Sequence, residues 1–199
     1  MLSIGMNRKL GKKVAVFNLP ARKTCPGMTA YCGPICYAMK AERMYKQCKA
    51  SRARNYKASL RPDFAIKMGK ELDTFKGEYA RIHEAGDYYN QRYLNKWLKI
   101  ARSYPELTFL SYTKMYDRLD FSKKTSNFLV YSSLDPTSLH KLNTVKRIFK
   151  RCVIVDKAED VRAKGWHVCP PVTKNHHNYC GVDCKVCWKG QDKVVWIKH

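Results

Sequence analysis

Apolar residues along the chain fall into two alternating rhythms. Short runs that read as buried strands are KKVAVFNLP (12–20), which a proline ends, EYARIHEAGD (78–87), LTFLSYTK (107–114), NFLVYSSLDP (127–136), RCVIVD (151–156) and KVVWIKH (193–199). Between them the spacing turns helical. Tyr37, Ala41, Met44, Tyr45 and Cys48 recur at i, i+4, i+7, i+8 and i+11 and predict one buried helix face. Phe64, Met68, Leu72 and Phe75 mark a second helix behind Pro62, a residue suited to a first turn. Leu94, Trp97, Leu98 and Ala101 mark a third. The stretches after Lys114, TSLHKLNTVKRIFK (137–150) and AEDVRAKG (158–165), read as shorter helices.

Strand–helix alternation predicts an α/β fold with a parallel sheet and right-handed crossovers. About five or six βα units fit the length. This suits a partial (β/α) barrel, with Cys-rich loops at the C-terminal ends of its strands. One domain, 1–199, is expected, with a partial-barrel core over 14–168 and a Cys-rich metal-binding segment over 169–190. In such a fold, function collects where the parallel strands end. The polar residues expected there are Asn18, Glu84 to Asp87, Ser111 to Lys114, Ser132 to Asp135, and Asp156. Both cysteine clusters are expected at that same mouth.

Charge changes the picture next. The chain carries 39 Lys and Arg against 16 Asp and Glu, a net +23. Its first sixty residues hold thirteen bases and one acid, Glu42. Clustered positive charge is most easily tolerated against a polyanion, so nucleic acid, DNA or RNA, is the expected partner. The candidate contacts are Lys40, Arg43, Lys46, Lys49, Arg52 and Arg54. No run of about 18 apolar residues exists and no signal-peptide core opens the chain, so a cytoplasmic protein with no membrane partner is expected.

The nine cysteines supply candidate chemistry. In a reducing compartment, clustered cysteines read as metal ligands rather than disulfides. Cys25, Cys32 and Cys36 form C-x6-C-x3-C, and Cys169 with Cys180, Cys184 and Cys187 adds C-x3-C-x2-C. Three thiolates can hold three irons of a [4Fe-4S] cluster and leave one open, as an S-adenosylmethionine radical enzyme requires. Zinc at the first cluster needs a fourth ligand, Cys48 or a distant His. Four thiolates in the second suit either zinc or a closed cluster, and His167, His176 or His177 can replace one of them. The position after the first strand favours the first cluster for cofactor chemistry, whereas the tighter spacing favours the second. Arg81 and His83, alternating on one strand, are read as facing one side together.

The motifs FNLPARKTCP, CGPICYAMKA, RIHEAGDYY, FLSYTK and the closing CPP…C…C..CW, spread over residues 14–188, together resemble the phage and prophage "gene product eighty-eight" family. Those proteins are in turn similar to radical S-adenosylmethionine enzymes. The resemblance implies an iron–sulfur cluster on Cys25, Cys32 and Cys36. It also marks Gly86, Asp87 and Tyr112 to Lys114 as facing the site. Asp87 and Lys114 are the candidate catalytic residues, and Gly86, Asp87, Ser111 and Ser132 the candidate cofactor-binding ones. One bottom-up alternative for Asp87 is a helix N-cap.

Two functions fit these residues. One is a radical S-adenosylmethionine-like iron–sulfur enzyme acting on a nucleic acid and served by an external electron donor. The other is a non-catalytic nucleic-acid binder stapled by iron–sulfur or zinc.

Overall fold

The computed structural model describes residues 1–7, 9–156, 165–170 and 180–197. Eight strands form one sheet: β1 (Ser3–Ile4), β2 (Val14–Phe17), β3 (Tyr79–Ile82), β4 (Thr108–Thr113), β5 (Phe128–Leu134), β6 (Lys150–Val155), β7 (His167–Val168) and β8 (Val194–Ile197). The spatial order is β1-β2-β3-β4-β5-β6-β8-β7. β1 runs antiparallel to β2, and every other pairing is parallel. The helices are α1 (Tyr37–Met44), α2 (Lys46–Leu60), α3 (Phe64–Asp73) and α4 (Gln91–Ser103), with a single 3-10 turn at Leu139–Lys141. The chain is therefore a mixed α/β protein built on one mostly parallel sheet.

The two-residue side-chain period of the strands sorts them between two cores. Phe17, Ala80, Ile82, Phe109, Phe128, Val130, Val153 and Val195 point to the helix side, where they meet Phe64, Met68, Leu94 and Trp97. Phe17, Phe64 and Trp97 pack edge to face, with ring centroids 5.2 to 5.6 Å apart. This is the geometry that aromatic quadrupoles favour. Val14, Val16, Leu110, Tyr131, Cys152 and Val194 point to the other face, which Cys187 and Trp188 cover.

The second face is curled. Tyr112 on β4 and Trp196 on β8 bring their rings to 4.7 Å, and the Arg81 guanidinium on β3 lies 5.6 Å from the Trp196 ring. Two strands separate β4 from β8, so a flat sheet would hold them about 14 Å apart at the usual strand spacing.

Several expected elements differ. The helix expected to run on from Tyr37 breaks at Tyr45, whose backbone is extended. Its supposed buried face is largely outside: Tyr37, Met44 and Tyr45 are each 60% exposed. The helical spacing there is real, but α1 and α2 pack on each other and leave those residues to solvent. The stretch 137–149 forms only the 3-10 turn and further turns, Lys150 opens β6, and the residues after Lys114 form turns. Asp135 accounts for the first difference, because it accepts from Thr137 N, Thr137 Oγ1 and Ser138 Oγ and holds a tight turn where a helix was expected to start. The short helix expected at 158–165 lies outside the described residues, apart from Gly165 in a turn.

Candidate functional site

At the C-terminal edge of the sheet, β3 gives way to residues 83–87, folded back by Asn18. The Asn18 Oδ1 accepts from Glu84 N at 2.7 Å and Ala85 N at 2.9 Å. Gly86 takes φ +84°, and a Cβ there would lie 2.6 Å from both Leu19 Cβ and Thr24 Oγ1. Only glycine meets both demands. The turn aims Asp87 inward. Its carboxylate accepts from Thr113 Oγ1 at 2.6 Å, Tyr88 N at 2.7 Å and Lys114 N at 2.9 Å. Burial pushes this carboxyl up to about 6, with those hydrogen bonds pulling the other way. Asp87 does not cap α4, because Asn90 does so by accepting from Tyr93 N.

Lys114 and Asp135 meet beside it. The Lys114 Nζ lies 2.6 Å from Asp135 Oδ2 and also donates to Ser133 O at 2.9 Å. Burial would raise the Asp135 carboxyl, but hydrogen bonds from Lys114, Thr137 and Thr29 hold it at about 2. The loop carrying Cys25, Cys32 and Cys36 lies over this group. Thr24 O accepts from Asp87 N at 3.0 Å, Thr29 Oγ1 donates to Asp135 at 2.6 Å, and Tyr31 OH donates to Asp156 at the end of β6. Gly27 approaches so closely that a Cβ would stand 2.8 Å from Lys114 O. The three-cysteine loop thus spans the ends of β3 to β6.

Within the loop, Cys32 Sγ accepts from Thr29 N at 3.3 Å. Burial pushes the Cys25 thiol up to about 12, and the charges of Asp87, Cys36 and Cys32 add to it. All nine cysteines are unbridged. The donor set, three free thiols on one loop, suits an iron–sulfur cluster. As placed, no group of three or more His, Cys, Asp or Glu side chains among the described residues forms a metal-holding set.

Residues 180–191, with Cys180, Cys184 and Cys187, lie elsewhere, contrary to the expectation of one shared mouth, whereas Cys169 follows β7 and its N donates to Val195 O on β8. Gly181 packs on Val14 and Tyr79, the first residues of β2 and β3, and Gly190 packs on Leu129 and Lys150 near the starts of β5 and β6. The Trp188 ring lies 4.6 Å from that of Tyr79, and Trp188 Nε1 donates to Cys180 Sγ at 3.2 Å. The segment 180–191 therefore covers the curled face toward the strand beginnings. Cys180 and Cys187 join the apolar core of that face, and burial raises the thiols of Cys169, Cys180 and Cys187. Cys184 influences Cys169 and Cys180. Cys152 also interacts with Cys187 and Cys169. It reads as an isolated cysteine in sequence, and the signal that could have found it is its inward position on β6. His167 sits on β7, and His176 and His177 lie outside the described residues.

Arg81 and His83 part company. Arg81 points into the curl, whereas His83, at φ +67°, turns to the helix side. Its Nε2 meets Tyr93 OH at 2.8 Å, and burial, with the Arg81 charge, brings the ring down to about 3. Ser111 and Ser132 are fully buried within the sheet, Ser132 in register with Thr113. Ser132 Oγ donates to Lys150 O at 3.3 Å.

Of the expected basic contacts, Lys40, Arg43, Lys46, Lys49 and Arg54 are exposed on α1 and α2. Arg52 is the exception. It is 7% exposed and donates to Ala38 O at 2.9 Å and Glu42 Oε1 at 3.0 Å, so it ties α2 to α1 rather than facing a ligand. Met39, Arg43, Lys46, Lys49 and Ala53 line an open groove between the two helices.

The fold defines a mixed α/β protein on one mostly parallel sheet, with a three-cysteine loop across its strand ends. The Gene product 88 family model matches residues 1–194, and the chain belongs to that family. It is similar to the Gene 88 protein of Mycobacterium phage L5, 22% identical over 197 residues, covering 87% of this chain and 81% of that one. The Gene 88 protein of Mycobacterium phage D29 is 26% identical over 129 residues, covering 58% of this chain and 54% of that one. No solved structure matches the chain significantly. Among the described residues no helix is long and apolar enough to cross a membrane.

Proposed function

We propose that the protein is a cytoplasmic iron–sulfur protein of the radical S-adenosylmethionine type that acts on a nucleic acid. The observation that carries the reading is the loop with Cys25, Cys32 and Cys36 strapped over Asp87, Lys114 and Asp135, where the parallel strands end. The curl that brings Tyr112 to Trp196 supports a partial barrel around that mouth.

Cys25, Cys32 and Cys36 would hold a [4Fe-4S] cluster with one open iron, which when bound supplies an electron to S-adenosylmethionine. The chain's own residues position and exclude. Asp87 offers a buried carboxylate to an amino or ribose hydroxyl group, and the Gly86 turn lets a ligand come close to backbone. The Lys114–Asp135 pair fixes the strap. Lys40, Arg43, Lys46, Lys49 and Arg54 supply phosphate contacts beside the mouth, because α1 begins one residue after Cys36.

Anaerobic reconstitution tests the reading. Iron bound in proportion to Cys25, Cys32 and Cys36, with S-adenosylmethionine cleaved to deoxyadenosine under reductant, is the expected result. Neither binding nor cleavage of S-adenosylmethionine by iron-loaded protein overturns it.

A second reading, a metal-stapled nucleic-acid binder without catalysis, is favoured by the outward bases of α1 and α2. It expects affinity that falls steeply with salt, persists without reductant, and is lost in a Lys40→Glu, Arg43→Glu, Lys46→Glu variant.

A further inference from the structure

Helix α1 is fixed in its rotation. Ala38 packs with Ala21 and Ala85, and Glu42, one turn on, accepts from Ala21 N at 2.9 Å and Arg52 Nη1 at 3.0 Å. The face this leaves outside is not a purely polar one. Tyr37, Lys40 and Met44, at i, i+3 and i+7, share it, and Tyr45 follows where the helix breaks. Arg43 to Gln47 form an unbroken exposed run across that break.

Charge on this surface has one sign. From Tyr37 to Leu60 the chain carries a single acid, Glu42, which Arg52 already binds. Lys40, Arg43, Lys46, Lys49, Arg54 and Lys57 are all exposed. Aromatic rings stand among these bases, with Tyr37 and Tyr45 each 60% exposed. The Tyr37 ring is also tethered, because its hydroxyl donates to Glu84 O, two residues past the end of β3. A ring already held in place loses little further freedom when a ligand lies on it.

Phosphates alone need only the bases. A duplex shows its phosphates and keeps its base faces stacked inside, so it has no use for the rings. A single strand offers phosphates and base faces together, and aromatic side chains beside a positive groove are what binds it.

We propose that α1 and its break with α2 form a stacking platform for single-stranded nucleic acid. Its phosphates lie along the groove lined by Arg43, Lys46 and Lys49, and its bases stack on Tyr37 and Tyr45. This inference rests on the nucleic-acid reading above and adds strandedness and a direction to it. Tyr37 is the end of the platform tied to the strand ends, so a strand laid along α1 leads toward the edge that carries Asp87 and Lys114.

The test measures fluorescence anisotropy of a short labelled oligonucleotide on the full chain, as single-stranded DNA, as single-stranded RNA and as DNA duplex, at matched salt. A single strand of either sugar should bind more tightly than the duplex. Tyr45→Ala should weaken single-strand binding about 5–100-fold, the effect of losing one stacked base, and should leave duplex affinity and the salt slope unmoved. Tyr45→Trp, which keeps a ring, should retain single-strand binding. Lys46→Ala should weaken both forms and flatten both salt slopes. Tyr45 belongs to none of the apolar cores, so the thermal midpoint of Tyr45→Ala should match the parent's.

If the duplex binds as tightly as the single strands, or Tyr45→Ala holds a single strand as the parent does, the platform is overturned while the nucleic-acid reading stands. If no form binds, both fall together.

Discussion

The Thr29 hydroxyl reaches the Asp135 carboxylate at 2.6 Å, on the same oxygen that receives the Lys114 ammonium. A loop residue between Cys25 and Cys32 is thereby fastened to the turn that follows β5. Removing the acceptor leaves a half-buried ammonium without its partner. Asp135→Ala should cost about 3–5 kcal/mol, the range for breaking a buried pair. Thr29→Val should cost less, about 1–3 kcal/mol, because it leaves one carboxylate oxygen short of a donor and Cys32 N short of an acceptor. Denaturant unfolding measures both. Both should also lower iron retained after anaerobic reconstitution, and Thr29→Val should do so with the smaller loss of stability.

The sign of the acid response follows from His83 and Asp87. His83 titrates at about 3 in the folded chain against an ordinary 6.5, so the unfolded chain takes up a proton that the folded one refuses. Its contribution is complete above pH 6.5 and is lost as pH falls toward 3, at about 1.4 kcal/mol per unit. Asp87, raised to about 6, acts in the opposite direction: the folded chain holds its proton more firmly, so stability is gained as pH falls from 6 toward 3.8. Between about 4 and 6 the two oppose. His83→Gln should therefore be least stable relative to the parent at neutral pH and close the gap on acidification. Thermal melts at pH 7, 5.5 and 4.5 measure this, and a gap that stays constant with pH contradicts it.

Neighbouring bases on α2 should behave differently. Arg52→Ala strands Glu42 in a pocket where both side chains are nearly buried, and should cost about 3–5 kcal/mol. Lys49→Ala and Arg54→Ala on the same helix should stay within about 0.5 kcal/mol, as surface changes do. If nucleic acid is bound on this face, Lys49→Ala and Arg54→Ala should weaken it and flatten its salt dependence. Filter binding across a salt series reads that effect without interference from unfolding.

Gly86→Ala adds a methyl where Leu19 and Thr24 already stand and where the backbone is left-handed. A cost of about 1–3 kcal/mol is expected from the backbone alone, with the clash added. Because Asp87 is the next residue, the variant should also shift the Asp87 titration toward the ordinary carboxylate range, which carbon-detected NMR of the carboxyl group measures.

Much of this was legible in the chain. VAVF, TFLSYT, FLVYSSL and KRCVIV appear as β2, β4, β5 and β6 because apolar runs flanked by Pro, Gly and Asp leave few alternatives. Leu94, Trp97, Leu98 and Ala101 are buried on α4 as their spacing requires. What misled was local rhythm without a partner. Tyr37, Met44 and Tyr45 are spaced to be buried, yet each stays largely exposed, and period alone does not say whether a face is covered. Arg52 reads like its basic neighbours, and only the position of Glu42 shows otherwise. His83 was placed with Arg81 by alternation, which a single positive φ reverses. The meeting of Asp87, Lys114 and the three-cysteine loop at one edge followed from parallel topology. The placing of residues 180–191 over the strand beginnings did not, because a covering segment need not stop where its strand does.

The place of β8 also bears on the order in which the molecule can be completed. β8 lies between β6 and β7, and with 180–191 it closes the curled face. Until those residues leave the ribosome, β6 is an open edge, and Tyr112, Tyr131 and Arg81 look onto water. The nascent chain can assemble most of the helix-side core early, from contacts made before residue 156, while the sulfur-rich face waits for residues 180–197. Synthesis thus finishes the two sides of one sheet at different times, and a stalled or shortened chain would expose the edge and aromatic surface that invite association with other copies.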